Sequence, residues 1–222
     1  MAPQIFRKYR VGVAPWSAPR NCFAETDGSM WGLETMDYRW LIGIAVVVLA
    51  PALAVAFFLS TLQLFGNFDE VIPGEYYRSA QPTPERLAKY VKTYGIKTVL
   101  NLRGLNTKYQ WYRDEVAEEE KLGVKFVDFK MSARRELTDA QTEQLITLLH
   151  DLPKPILVHC KSGSDRTGLI SAIYLYKIAG RSEGEAERQI SFRYGHIGIP
   201  YLSEAFAMDR NWEKLEKRFA GS

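Results

Sequence analysis

The sequence predicts an α/β fold, a central and mostly parallel sheet flanked by helices, preceded by one transmembrane helix. Three observations predict it. Short apolar runs at residues 96–102, 124–129 and 156–158 alternate with helical patterns at the spacing of βαβ units. The chain after residue 165 carries helical signals only. Residues 40–66 contain no charged side chain, and 41–65 are apolar apart from Ser60, Thr61 and Gln63.

Taken in order, residues 1–39 are broken by Pro3, Gly12, Pro15, Pro19, Gly28 and Gly32, and read as a poorly ordered tail. Met30 and Met36 are alternative starts. Residues 40–66 read as a transmembrane signal anchor, since spanning takes about 20 apolar residues and a cleaved signal core is shorter, roughly 7–15. Tyr38 and Trp40 stand where interfacial aromatics belong. Arg7, Lys8, Arg10, Arg20 and Arg39 precede the span, while Asp69 and Glu70 follow it. The positive-inside tendency then places residues 67–222, the catalytic domain, on the non-cytoplasmic side of a single-pass membrane protein.

That domain opens with a short strand or hairpin over 68–77, turning at Pro73-Gly74. Thr83 as N-cap and Pro84 at N1 start a helix that Gly95 closes. The strand 96–102 follows, then a charged helix over 108–122 ended by Gly123, then the strand 124–129. Thr138 and Gln141 form a capping box for a helix carrying Leu145, Leu148 and Leu149, stopped by Pro153 and Pro155. The strand 156–158 leads through a tight loop into a helix reaching Gly180. Ser182 and Glu185 open a further capping box, for a helix to Tyr194. Ser203 is expected to cap a last helix with Phe206, Trp212, Leu215 and Phe219 inward.

Composition narrows the chemistry. The 222 residues carry 29 Lys and Arg against 26 Asp and Glu, a net charge of +3, which gives no nucleic-acid footprint. Cys22 and Cys160 lie in segments of different character, so no disulfide framework is expected. His150, His159 and His196 show no zinc-ligand spacing with either cysteine, so neither a metal nor another cofactor is called for.

The informative stretch joins the strand 156–158 to the next helix: His159, Cys160, Lys161, Ser162, Gly163, Ser164, Asp165, Arg166, Thr167, Gly168. A loop entering a helix N-terminus turns backbone N–H groups toward an anion, and the helix adds partial positive charge. A helix N-terminus and a nearby cation also favour the nucleophilic thiolate of Cys160. Gly163 permits the turn. The planar fork of Arg166 suits two phosphate oxygens at once. Thr167 can donate to the sulfur as it leaves, and His159 orients the loop. In-line attack by Cys160 on a phosphate ester would give a phosphocysteine. Lys161, Ser162, Gly163, Ser164, Thr167 and Gly168 are therefore candidate substrate-binding residues around the catalytic Cys160 and Arg166.

This stretch resembles the HCxxGxxR(S/T)G signature of the cysteine-dependent protein tyrosine and dual-specificity phosphatases. The flanking residues 77–82 (YRSAQP) and 95–103 (GIKTVLNLR) are similar to the compact atypical dual-specificity branch, whose plant and fungal members act on inositol pyrophosphates. The resemblance covers about residues 68–200. It implies a mixed sheet with helices on both sides, Cys160 as nucleophile and Arg166 as phosphate clamp.

Family members usually take the leaving-group proton from an Asp some thirty residues before the Cys. Asp128 has that spacing but lies inside a strand. Asp165, within the loop, is similar to the Asp of lipid-directed members; Asp139 is a third candidate. Arg78 and Arg103 could bind anions at the rim, with Arg78 read as structural, and Lys130 and Lys161 would favour a multiply charged substrate. His196 reads as a structural contact. The expected substrate is a phosphoprotein, a phospholipid or an inositol phosphate. The alternatives are a catalytically silent phosphate-binding module and rhodanese-like sulfur transfer.

Overall fold

The computed structural model describes residues 38–221. The tail expected at 1–39 thus falls outside the described residues except for Tyr38 and Arg39, which form the first turn of a helix. Helix α1 runs Tyr38–Leu64 and contains Pro51. It is long and apolar enough to cross a membrane. The chain divides into two units, residues 1–48 and 49–222.

In the second unit the strands are β1 (Asp69–Ile72), β2 (Tyr76–Ser79), β3 (Thr98–Asn101), β4 (Lys125–Asp128) and β5 (Ile156–His159). They form one sheet in the order β1-β2-β5-β3-β4. Only the edge pair β1–β2 is antiparallel; β2–β5, β5–β3 and β3–β4 are parallel. The helices are α2 (Pro84–Tyr94), α3 (Gln110–Leu122), α4 (Asp139–Asp151), α5 (Asp165–Ile173, continued by a π turn over Tyr174–Ile178), α6 (Glu183–Glu187) and α7 (Phe206–Ala220), with a 3-10 turn at Phe192–Tyr194.

The period of two along each strand sorts its side chains into two cores. Tyr76, Leu100, Ile156 and Val158 face α4, α5 and α7 and pack with Leu145, Leu149, Leu169, Trp212 and Leu215. Tyr77, Val99 and Leu157 face α2 and pack with Leu87 and Tyr90. Both faces of β5 are buried, which explains its unbroken apolar run and places the loop after it at the centre of the carboxyl edge, where parallel sheets bind ligands.

The local signals hold at the starts of α2, α4 and α6: Thr83 caps α2, and both capping boxes form. Two helices differ from expectation. The helix expected to reach Tyr194 stops at Glu187, because the buried Arg78 guanidinium takes both the backbone and the side-chain oxygen of Gln189 (2.9 and 2.8 Å). The last helix begins at Phe206 rather than beside Ser203, whose hydroxyl instead accepts from Ala205 N at 3.2 Å.

Candidate active site

The loop from Cys160 to Ser164 curls between β5 and α5. Leu102 N donates to His159 O (2.9 Å) and Gln81 N to Lys161 O (3.2 Å), so β3 and the segment after β2 hold its two sides. Gly163 has φ +74, and a Cβ there would stand 2.7 Å from Ala80 N, so only glycine fits. Gly168 is required for close packing: a Cβ would meet Gln189 O at 2.7 Å. Ser162 and Ser164 share a hydroxyl hydrogen bond of 2.6 Å.

Cys160 is a free thiol, 1% exposed. Its Sγ accepts from Gly163 N at 3.3 Å, which aims the sulfur at the centre of the loop. Arg166, in the first turn of α5, spends one bond internally, Nη1 to Leu102 O at 3.3 Å. Its Nε and Thr167 Oγ1 are buried without a hydrogen-bond partner among the described residues. Buried donors of this kind are costly unless something fills them. A tetrahedral oxyanion over Cys160 would do so, because the first-turn N–H groups of α5 are also unspent within the helix.

Ionisable side chains surround the loop. Arg78 is fully buried and donates to Gly163 O (2.7 Å) and Ser164 O (3.4 Å) from behind, the structural role expected of it. Burial lowers its guanidinium to about 10, against the opposing pull of Tyr194, Tyr76 and Cys160. His159 Nε2 lies 2.9 Å from Glu115 Oε1, both fully inside the protein. Glu119 is buried nearby, and desolvation, then the Glu115 and Asp128 charges, push it up to about 10, so it is protonated at neutral pH. Arg103 lies on the rim, stacked on Trp111 at 3.4 Å and bonded to Gln81 Oε1. Burial and then the Arg166 charge lower its guanidinium, a like-charge pressure that a bound anion relieves.

The three acidic candidates stand apart. Asp128 ends β4, paired in register with Asn101, which itself pairs with His159. It accepts from Asn101 Nδ2 (2.8 Å) and Tyr112 Oη (2.5 Å). Burial and that carboxylate drive the Tyr112 phenol above its ordinary range, so it remains a donor. Asp165 is held by His196 Nδ1 at 2.8 Å, and His196 Nε2 meets Asp209 of α7 at 2.9 Å. Asp139 pairs with Arg218 on the protein's exterior (3.1 Å).

The Asp165–His196–Asp209 chain was not legible as a unit, although His196 itself reads as a structural contact. Burial by itself would lower His196; hydrogen bonds and charge from Asp165 and Asp209 outweigh it and raise the imidazole from 6.5 to about 9. A group raised on folding stabilises fully below its unfolded value and loses that contribution as pH climbs through its folded value. The triad should therefore contribute about 2–3 kcal/mol at pH 6, declining toward pH 9. His196→Gln should flatten the fall in melting temperature between pH 6.5 and 9 that is expected of the parent protein; an equally steep fall in the variant would contradict the assignment.

The sequence model of a family described as "PTP-NADK: DSP-PTPase phosphatase fused to NAD+ Kinase" matches residues 65–198. No curated protein matches the chain. Among solved structures, TpbA of P. aeruginosa is similar with 24% identity and a TM-score of 0.53, over 70% of this chain and 91% of that chain. The core catalytic domain of the PP-IP phosphatase SIW14 from S. cerevisiae, in complex with citrate, has 25% identity and a TM-score of 0.51 over the same shares, 70% and 91%. PTPMT1 has 19% identity and a TM-score of 0.52 over 70% and 99%.

Proposed function

The chain belongs to the DSP-PTPase phosphatase family whose model spans residues 65–198, and from that premise we propose how it works and where. It is a cysteine-dependent phosphatase of the dual-specificity type. The reading of its mechanism is carried by one observation: Cys160 Sγ sits in a loop whose Gly163 N points at it, and the α5 turn that follows carries two buried, unspent donors, Arg166 Nε and Thr167 Oγ1.

In the first step the Cys160 thiolate attacks phosphorus, the P–O ester bond breaks, and its electrons pass to the leaving oxygen. That oxygen takes a proton from a carboxylic acid. In the second step water attacks phosphorus, the P–S bond breaks, and the water proton returns to the carboxylate. Thr167 donates to the departing sulfur, and Arg166 holds two phosphoryl oxygens throughout. Lys161, Ser162, Gly163 and Ser164 form the cradle, chiefly through their backbone, whereas Gly168, whose N–H is spent on Ser164 O, serves the close packing of α5 against Gln189.

Asp128 is the better supported acid. It ends a strand two places from β5 at the same edge of the sheet and is held by neutral donors, Asn101 and Tyr112, whereas Asp165 pairs on the flank with the His196 imidazole, whose raised pKa keeps it cationic. Loss of the acid should remove the basic limb of the pH–rate profile. Asp128→Asn should lower kcat by about 10²-fold or more on alkyl phosphates and flatten the profile above its optimum. A preserved basic limb in that variant, with its loss in Asp165→Asn, would transfer the role to Asp165.

The domain 67–222 is anchored by α1 in this reading, and the substrate is a phosphorylated protein, phospholipid or inositol phosphate. The cations upstream of the span, Arg39 among them, support a non-cytoplasmic catalytic domain. Turnover of an aryl phosphate by the full chain, insensitive to chelators and blocked by vanadate, is expected. Turnover that vanadate leaves untouched would overturn the mechanism.

A further inference from the structure

Helix α1 divides in two by burial. Residues 38–57 are exposed throughout, whereas Phe58, Leu59, Thr61 and Leu62 are half-buried and Gly66 and Asn67 are buried. The exposed part is about 20 residues, or roughly 30 Å of helix, the thickness of a bilayer's hydrocarbon. The following turns are fixed to the catalytic domain. Phe58 stacks on Phe192 with ring centroids 5.2 Å apart, and Leu59 and Leu62 pack against Gly195. Gln63 Nε2 and Asn67 Nδ2 both donate to Ser162 O, at 3.2 and 2.9 Å, and Asn67 also to Tyr194 O at 2.8 Å. Ala80 N donates to Gly66 O at 2.7 Å. Asn67 takes a positive φ of 45°, in the left-handed region that Asn adopts more readily than most residues.

The anchor is thus no tether. Its last turns are part of the support of the phosphate-binding loop, and they fix the height of that loop. From Phe57 to Gln63 the helix rises roughly 9 Å, so Ser162 stands at the outer boundary of the headgroup layer, which extends about 5–8 Å beyond the hydrocarbon on each side. A crevice of about 350 Å³ beside these turns is lined by the apolar Leu59, Leu62 and Ile197 together with the polar Gln63, Ser162 and Asp165. Past it, Ile199, Tyr201 and Leu202 are exposed on the loop before α7. An amphiphile fits such a mixed lining, and an apolar loop with a tyrosine suits the interface.

We propose that the substrate phosphate is carried by a lipid headgroup of the same bilayer, presented to Cys160 at the height that the fixed end of α1 sets. This rests on the phosphatase and membrane-anchor readings above and narrows them to one substrate class.

The test uses the full chain in phosphatidylcholine vesicles. Four probes are supplied at equal bulk phosphate: phosphatidic acid in the same vesicles, a soluble phosphotyrosine peptide, inositol hexakisphosphate and an aryl phosphate. Confinement to one surface should favour phosphatidic acid over the peptide and the inositol phosphate by about tenfold or more, with a rate that follows its mole fraction in the bilayer. Equal or faster turnover of either soluble biological phosphate overturns the proposal. Aryl phosphate turnover without lipid preference sinks only this proposal; no aryl phosphate turnover sinks the phosphatase mechanism with it. Protein that fails to float with the vesicles removes the anchor. A second protein carries a ten-residue Gly/Ser insertion after Phe57, which keeps the fixed turns but frees the height by roughly 17–19 Å. It should retain aryl phosphate turnover and lose most of the lipid preference; an unchanged preference would show that height does not set it.

Discussion

Replacing Cys160 by serine abolishes turnover while leaving the fold and the phosphate cradle in place. The side chain is buried, and its contact is the 3.3 Å bond from Gly163 N, which a hydroxyl can also accept. Stability should change little. Chemistry should not survive, because a serine hydroxyl is not ionised near neutral pH and no residue beside Cys160 stands as its base. Loss of a nucleophile that works as a unit with its clamp costs about 10⁴-fold or more in kcat. Binding of inorganic phosphate, read by calorimetry, should stay within about threefold, since Arg166 and the α5 N-terminus are untouched. Residual turnover within about tenfold of the parent would show that the thiol is not the attacking atom.

Arg166→Lys should be nearly as damaging although it conserves charge. The guanidinium offers five donors in a fixed fork, of which one is spent on Leu102 O, so four remain for phosphoryl oxygens. An ammonium offers a point charge on a flexible stem and cannot engage two oxygens in plane. A charge clamp in phosphoryl transfer contributes about 10³-fold or more, and its loss should fall on kcat rather than on KM. The melting temperature should be nearly unchanged, because Arg166 makes so little of the internal structure. A variant that fails on KM alone would reduce Arg166 to a binding residue.

The contrast between the arginines marks where the sequence is legible. Arg166 lies in a run of ten residues whose types and spacing are dictated by one bound anion, and such short-range chemistry can be read directly. The unbroken apolar run of β5 and the capping boxes at Thr138 and Ser182 are local in the same sense. Arg78, by comparison, is buried because β2 lies next to β5 and faces the back of the loop, and only its preference for structure over substrate was readable.

What stayed hidden depends on distant pairs. His196 joins Asp165 and Asp209 across 31 and 13 residues, and no local pattern signals that helix α7 would complete the triad. Asp128 looked free on a strand, yet Tyr112 and Asn101 hold both its oxygens because α3 packs over β4. The apolar run 40–66 was read as one uniform span. Its last turns belong to the catalytic domain, since Phe192, Gly195 and Ser162, about a hundred residues or more away, cover one face of them. Hydropathy reports apolarity and cannot distinguish lipid from a protein neighbour.

The central claim is a covalent phosphocysteine on Cys160. It is tested most directly by quenching the full chain in acid during turnover of an aryl phosphate and mapping the modified peptide by mass spectrometry. The mechanism predicts one phosphoryl group on Cys160, formed in a burst and absent in Cys160→Ser. A phosphoryl group on any other residue, or steady turnover with Cys160 never modified, would contradict it.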